Sequence, residues 1–269
     1  MRRTLWMLFG LHVLFAQPVF GAALAHSDNF LVVAPDQNAA AAVLAAAEQY
    51  RRELAIEWLG DELPPSVGVT VIHVEFGAQA DKGLAWPIDT PARTLHKLWL
   101  AGPPKNVLGA TLRHEITHIV LATQFPGKVP PWADEGAASI QDDPQRRAIR
   151  CRLLAWFAQT GNWPSLETLF AKPNIPPGDQ ASYAAAASIT EYLLERGGKA
   201  RFLRFAMDGK IGGYAPALMR HYGIASLSAL EADWQAWVRQ HCSGSTCAAS
   251  KENRPASPIG PVARLSGVP

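Results

Sequence analysis

The sequence predicts an α+β fold, with mixed strands and helices first, one central helix, and then an all-helical half. Three observations predict it. Stretches of β-branched, alternating residues all lie before Gly102. A helical-period segment follows the Gly102-Pro103-Pro104 turn. From Trp132 onward, helical spacing dominates. At 269 residues, 48% of them hydrophobic and 18% charged, the chain has ample material for a core, and disorder throughout is excluded.

Taken in order, the first 25 residues read as an export signal. Arg2 and Arg3 form a positive start, Thr4 to Phe15 is mostly large and apolar, and Ala23-Leu24-Ala25 has the small-x-small pattern of a cleavage site. Cleavage is expected between Ala25 and His26. The competing reading is an uncleaved anchor, but the apolar run before Gln17 is short for a span of about 20 residues. The mature protein is therefore expected in the periplasm or secreted, with no stable membrane span.

Asn29 to Ala34 reads as a strand. Residues 36–59 read as an Ala-rich helix with Asp36 as N-cap and Gly60 as stop. Val67 to Phe76 is a second strand, Gly77 to Pro91 a loop punctuated by Gly and Pro, and Thr94 to Ala101 a third strand. A long helix is expected over about 106–123. Further helices are expected over 132–141, 144–159, 180–196, 198–208, 213–222 and 226–241. The tail 243–269, with four prolines, is expected to be disordered. The folded body is thus 26–242, with lobes of about 26–124 and 125–242 and a cleft between them.

Charge narrows the function classes. The whole chain carries a formal +2, from 25 Lys plus Arg against 23 Asp plus Glu. Without the two signal arginines the balance is 23 to 23, and the body 26–242 is 20 basic against 22 acidic, or −2. No basic surplus remains to argue for a nucleic-acid partner. Three cysteines are too few for a stapled scaffold. Cys242 and Cys247 are close enough to form a small disulfide loop, leaving Cys151 over, buried on a helix.

The chemistry concentrates at His114-Glu115-Ile116-Thr117-His118, an HExxH pattern inside the 106–123 helix. Histidines at i and i+4 lie about 40° apart around a helix, so both rings can face one metal ion. Glu115 lies about 60° beyond His118, where it can reach a water without ligating the metal. A third ligand is required. An HExxHxxGxxH pattern needs Gly and His at 121 and 124, where this chain has Leu121 and Gln124. Downstream, Pro130-Pro131-Trp132-Ala133-Asp134-Glu135-Gly136 follows a turn with Gly127, so a second helix can fold back and bring Glu135 to the histidine pair. Two His and one Glu leave a fourth position open, as in catalytic zinc (Zn2+) sites. Asp134 is the competing ligand, but it points about 100° away from Glu135 on a helix.

HEITH followed by PPWADEGAA resembles the gluzincin metallopeptidases, whose thermolysin-like fold carries HExxH on one helix and a ligand Glu on the next. The WxxEG form and the helical stretch 181–239 resemble the small bacterial peptidase MA-like domains in particular. The resemblance spans roughly 29–241 and implies a zincin-like fold: a small mixed sheet with helices in the N-terminal lobe, an active-site helix and an all-helical C-terminal lobe. It implies His114, His118 and Glu135 as zinc ligands, Glu115 as catalytic base, and a peptide or protein substrate. It also implies that the strand before the metal helix lines the cleft, so that a peptide can pair with its edge. Relatives often place Asp four residues after the ligand Glu to support a His, and this chain has Ser139 there. A donor to the oxyanion is expected from Tyr183, with His221 and Tyr222 as weaker candidates.

Several residues carry blander expectations. His96 and Trp99 fall on opposite faces of the third strand, as packing or solvent residues. His73 and His26 are structural or exposed. Trp132, Trp156, Trp163, Trp234 and Trp237 are core anchors. Two rival functions remain: a catalytically inactive zincin-fold binding or assembly module, and a zinc amidase acting on cell-wall peptides.

Overall fold

The computed structural model describes residues 22–64, 69–77, 82–89 and 94–242. The first element is a short strand β1 (Ala23–His26), antiparallel to β2 (Phe30–Ala34). The predicted cut after Ala25 falls inside β1. The rest of the predicted signal, residues 1–21, and the tail 243–269 lie outside the described residues.

Helix α1 (Gln37–Leu59) starts where the sequence suggests. The Asp36 side chain accepts from the Ala39 N–H at 2.8 Å, and the helix ends at Gly60 in the left-handed conformation. Strand β3 (Thr70–Phe76) is parallel to β2, and β5 (Thr94–Gly102) is parallel to β3. Alternation puts Phe30, Val32, Ile72, Val74, Leu98 and Leu100 on one buried face. Val43, Ala47, Leu54 and Trp58 of α1 belong to the same core.

The expected loop over 77–91 contains a strand instead. β4 (Lys82–Asp89) pairs antiparallel with β5, and the sheet order is β1-β2-β3-β5-β4. Gly83 and Pro87 gave the segment its loop-like sequence, yet an edge strand tolerates both because one side of its ladder is unpaired. The strand expected to offer its edge to a peptide, β5, therefore lies inside the sheet, and β4 forms the edge on that side.

The central helix is not uniform. A turn α2 (Pro104–Asn106) leads into a π-helical stretch Val107–Thr111, with Gly109 at non-helical angles, and only then comes α3 (Leu112–Gln124). After the Gly127 turn come α4 (Pro131–Ser139) and α5 (Pro144–Thr160), the latter capped by Asp143. A short helix α6 (Leu166–Ala171), capped by Ser165, was not anticipated. α7 (Gln180–Gly212) runs through both expected helices, with a break at Gly198 where φ is 68°. α8 (Tyr214–Tyr222) and α9 (Leu227–His241) complete the helical half.

That half is built around two fully buried tryptophans that keep their N–H groups bonded. Trp132 is fully buried, stacks on Phe170 with ring centroids 4.2 Å apart, and donates to the Tyr214 hydroxyl at 2.9 Å. Trp234, also buried, donates to Ser188 Oγ at 3.0 Å. Trp163 and Trp237 pack partly buried against the core, but Trp156 is 48% exposed and is not a core anchor. The cysteine expectation is reversed. Cys151 on α5 is disulfide-bonded, and Cys242 is the buried free thiol, packed in the core at the end of α9. Its pKa is pushed up to about 11 by that burial, with Glu191 adding to it. Among the described residues, no helix is long and apolar enough to cross a membrane.

Candidate metal centre

α3 carries His114, Glu115 and His118, and its helical spacing brings the two imidazoles edge to face, with ring centroids 5.0 Å apart. Glu135 arrives from α4. Its neighbour Gly136 explains how α4 comes so close to α7. A β-carbon at 136 would lie 2.1 Å from Thr190 Oγ1 and 2.7 Å from the Ala186 carbonyl oxygen. Any side chain there would push α4, and Glu135 with it, off α7.

The Nε2 atoms of His114 and His118 each lie 3.8 Å from Glu135 Oε2. One ligand atom from each of the three residues lies within 4.8 Å of the others. Glu135 Oε2 is buried and makes no hydrogen bond, which is costly for a carboxylate oxygen unless a cation meets it. Tetrahedral zinc ligands at their usual bond lengths stand about 3.4 Å apart, so each histidine-to-Glu135 separation is within a few tenths of an ångström of that spacing.

The opposite ring nitrogens are held from behind. His118 Nδ1 meets Asp134 Oδ2 at 2.8 Å, and His114 Nδ1 meets Asp142 Oδ1 at 3.1 Å. A carboxylate only accepts, so each Nδ1 carries a proton and donates it to its aspartate, which turns each Nε2 toward Glu135. Asp134 thus supports a ring, and Glu135 completes the trio. Burial disfavours a charged His118, but Asp134, Glu135 and Glu115 outweigh it and push its pKa up to about 10. The cluster is electrostatically arranged to hold a cation.

Asp142 is the residue that sequence reasoning missed. It lies between α4 and α5, is 4% exposed, and takes the place of the Asp sought at position 139. Arg146 Nη1 reaches it at 3.3 Å, and Arg150 Nη1 pairs closely with its other oxygen. Burial raises the Asp142 carboxyl, but His114, Arg150 and Arg146 outweigh that and hold it well below the usual carboxylate range. A readable signal did exist: Asp142-Asp143-Pro144 opens a helix, with arginines four and eight residues after Asp142 on one face. Ser139 itself is buried, and its hydroxyl has no partner.

A cavity of about 470 Å³ opens over the trio. β4 contributes Gly83 to Trp86, β5 contributes His96, and the α3–α4 connection contributes Phe125 and Val129. Glu115 lines it while only 6% exposed, and burial pushes its carboxyl pKa up, against the lowering effect of His114 and His118. Tyr183, in the first turn of α7, also lines it, and burial followed by the Glu135 charge pushes its phenol up. The weaker candidates lie elsewhere. His221 Nε2 pairs with Asp208 at 2.8 Å, and the Tyr222 hydroxyl donates to the Leu193 carbonyl at 3.4 Å. Trp99, on the face opposite His96, donates to Glu75 at 3.0 Å.

The described residues therefore form an α+β fold whose five-stranded mixed sheet and helices bring His114, His118 and Glu135 into a cluster that can hold a metal ion. A scan against models of protein families finds no match to this chain, and a search of curated proteins finds no significant one.

Proposed function

We propose that this chain is a zinc-dependent hydrolase of peptide bonds with a zincin-like fold, acting in the cell envelope or outside the cell. The observation that carries the reading is the orphaned Glu135 Oε2 facing two imidazole Nε2 atoms, beside a buried Glu115 in an open cavity. His114, His118 and Glu135 would hold the ion; when bound, zinc supplies a Lewis acid and acidifies a water at the open position.

The chain's own groups then divide the work. Asp142 and Asp134 keep the two rings turned toward the centre. Glu115, with its pKa raised by burial, takes the proton of the attacking water and returns it to the leaving amine. The Tyr183 hydroxyl donates to the oxyanion as it develops. The signal-like pattern of the first 25 residues supports placement in the periplasm or secreted space.

The test is metal analysis alongside a peptide-cleavage screen of the wild type and Glu115→Gln. The variant is expected to hold one zinc per chain and to lose turnover by about a thousandfold or more. Wild-type protein that binds no zinc, or a Glu115→Gln variant as active as wild type, overturns the reading.

A further inference from the structure

The sequence reading placed Gly83 in a loop, and the hydrolase mechanism gives it no task. Its position is unusual. β4 carries Gly83 across Glu115, and a β-carbon built on it would lie 2.2 Å from Glu115 Oε1, 2.8 Å from Cδ and 2.9 Å from Cγ. All three distances are far inside van der Waals contact. Backbone conformation does not demand glycine here, because Gly83 is not among the residues with positive φ. Space demands it.

The surroundings set where Glu115 can go. Gly83 pairs with Leu100, whose side chain is fully buried on the face that carries Leu98. Glu115 is itself buried and lies one residue from His114 on α3. A carboxylate pushed away from β4 leaves its place beside the metal trio and moves within the cavity that both line.

We propose that Gly83 is a positioning residue that sets the place of the Glu115 carboxylate by leaving a slot in the edge strand. The contact stands on geometry alone; its catalytic consequence rests on the hydrolase reading. Alanine at 83 fills the slot and displaces the carboxylate without touching a metal ligand.

A double-mutant cycle tests the contact without metal or substrate. Thermal midpoints are measured in chelator for the wild type, Gly83→Ala, Glu115→Ala and the double variant. Alanine suits a strand better than glycine, so Gly83→Ala is expected to leave unchanged or raise the midpoint in the Glu115→Ala background and to lower it in the wild type. Equal shifts in both backgrounds overturn the contact. With zinc restored, Gly83→Ala is expected to bind the ion as wild type does, to keep KM, and to lose kcat about tenfold to a hundredfold. An unchanged kcat, or a loss that falls on KM or zinc content, overturns the positioning role. A wild type without turnover overturns the hydrolase reading and the catalytic consequence with it, while the midpoints still decide the contact.

Discussion

At His114 the ring orientation depends on a residue outside the HExxH pattern. Asp142 accepts from Nδ1 and is gripped in turn by Arg146 and Arg150. Asp142→Asn keeps the shape but weakens the acceptor and upsets the charge balance with the arginines. It is expected to weaken metal binding by about 10- to 100-fold, measured by competition with a chromogenic chelator. Ser139→Ala, which removes a hydroxyl with no partner, is expected to leave that affinity unchanged. The difference shows what the sequence made readable at this scale. His114, Glu115 and His118 are fixed by helical spacing alone, so four residues of local periodicity reveal them. Glu135 needed a guess about how α4 returns to α3. Asp142 follows neither rule, because its position is set by the bend between α4 and α5 and by arginines a full turn or more further on.

Between elements, the centre depends on how closely helices approach. Gly136→Ala puts a methyl group where Thr190 Oγ1 and the Ala186 carbonyl already sit. It is expected to lower stability by about 1–3 kcal/mol, read by urea unfolding, and to weaken metal binding because Glu135 moves with α4. α3 is anchored on its other side by Arg113, which bonds Glu53 at 2.5 Å and Glu57 at 3.1 Å on α1, and Gln141 at 2.7 Å beside Asp142. α7 starts at Asp179, whose side chain accepts from the Ser182 N–H at 3.0 Å and pairs with Lys172 at 2.8 Å. The Lys172 bond first, and then the helix N–H, hold the Asp179 carboxyl below its usual value. A depressed folded-state pKa contributes stability above the unfolded value near pH 4, and that contribution is lost as pH falls below it. Asp179→Ala is accordingly expected to cost about 1 kcal/mol at pH 7, with the difference between the two proteins shrinking as pH falls below about 4 in urea titrations. Long helices with polar caps were legible at this scale: Asp36, Gly60 and the Gly197-Gly198 pair mark real boundaries or breaks. β4 and α6 were not. β4 carries the Gly and Pro that usually signal a turn, and α6 is too short to show a period.

Over the whole molecule, the α+β order was readable because strand and helix periods segregate along the chain. The tertiary pairing of cysteines was not, because proximity in sequence says little about which sulfurs meet. Native protein is expected to resist a thiol reagent, and protein unfolded without reductant is expected to react at Cys242 alone, by mass analysis of the labelled peptides. Labelling at Cys151 under those conditions would contradict the disulfide.

β1 gives the chain's beginning a mechanical meaning. Ala23, Leu24 and Ala25 pair with Ala34, Val33 and Val32, so they cover one border of the sheet. A peptidase that cut after Ala25 would strip that border and leave the β2 backbone ready to pair with another molecule. Chains starting at Ala22 and at His26 are therefore expected to differ in self-association, the shorter one forming larger species by light scattering. Three residues of backbone pairing, Ala23 to Ala25, thus separate a covered sheet border from a sticky one.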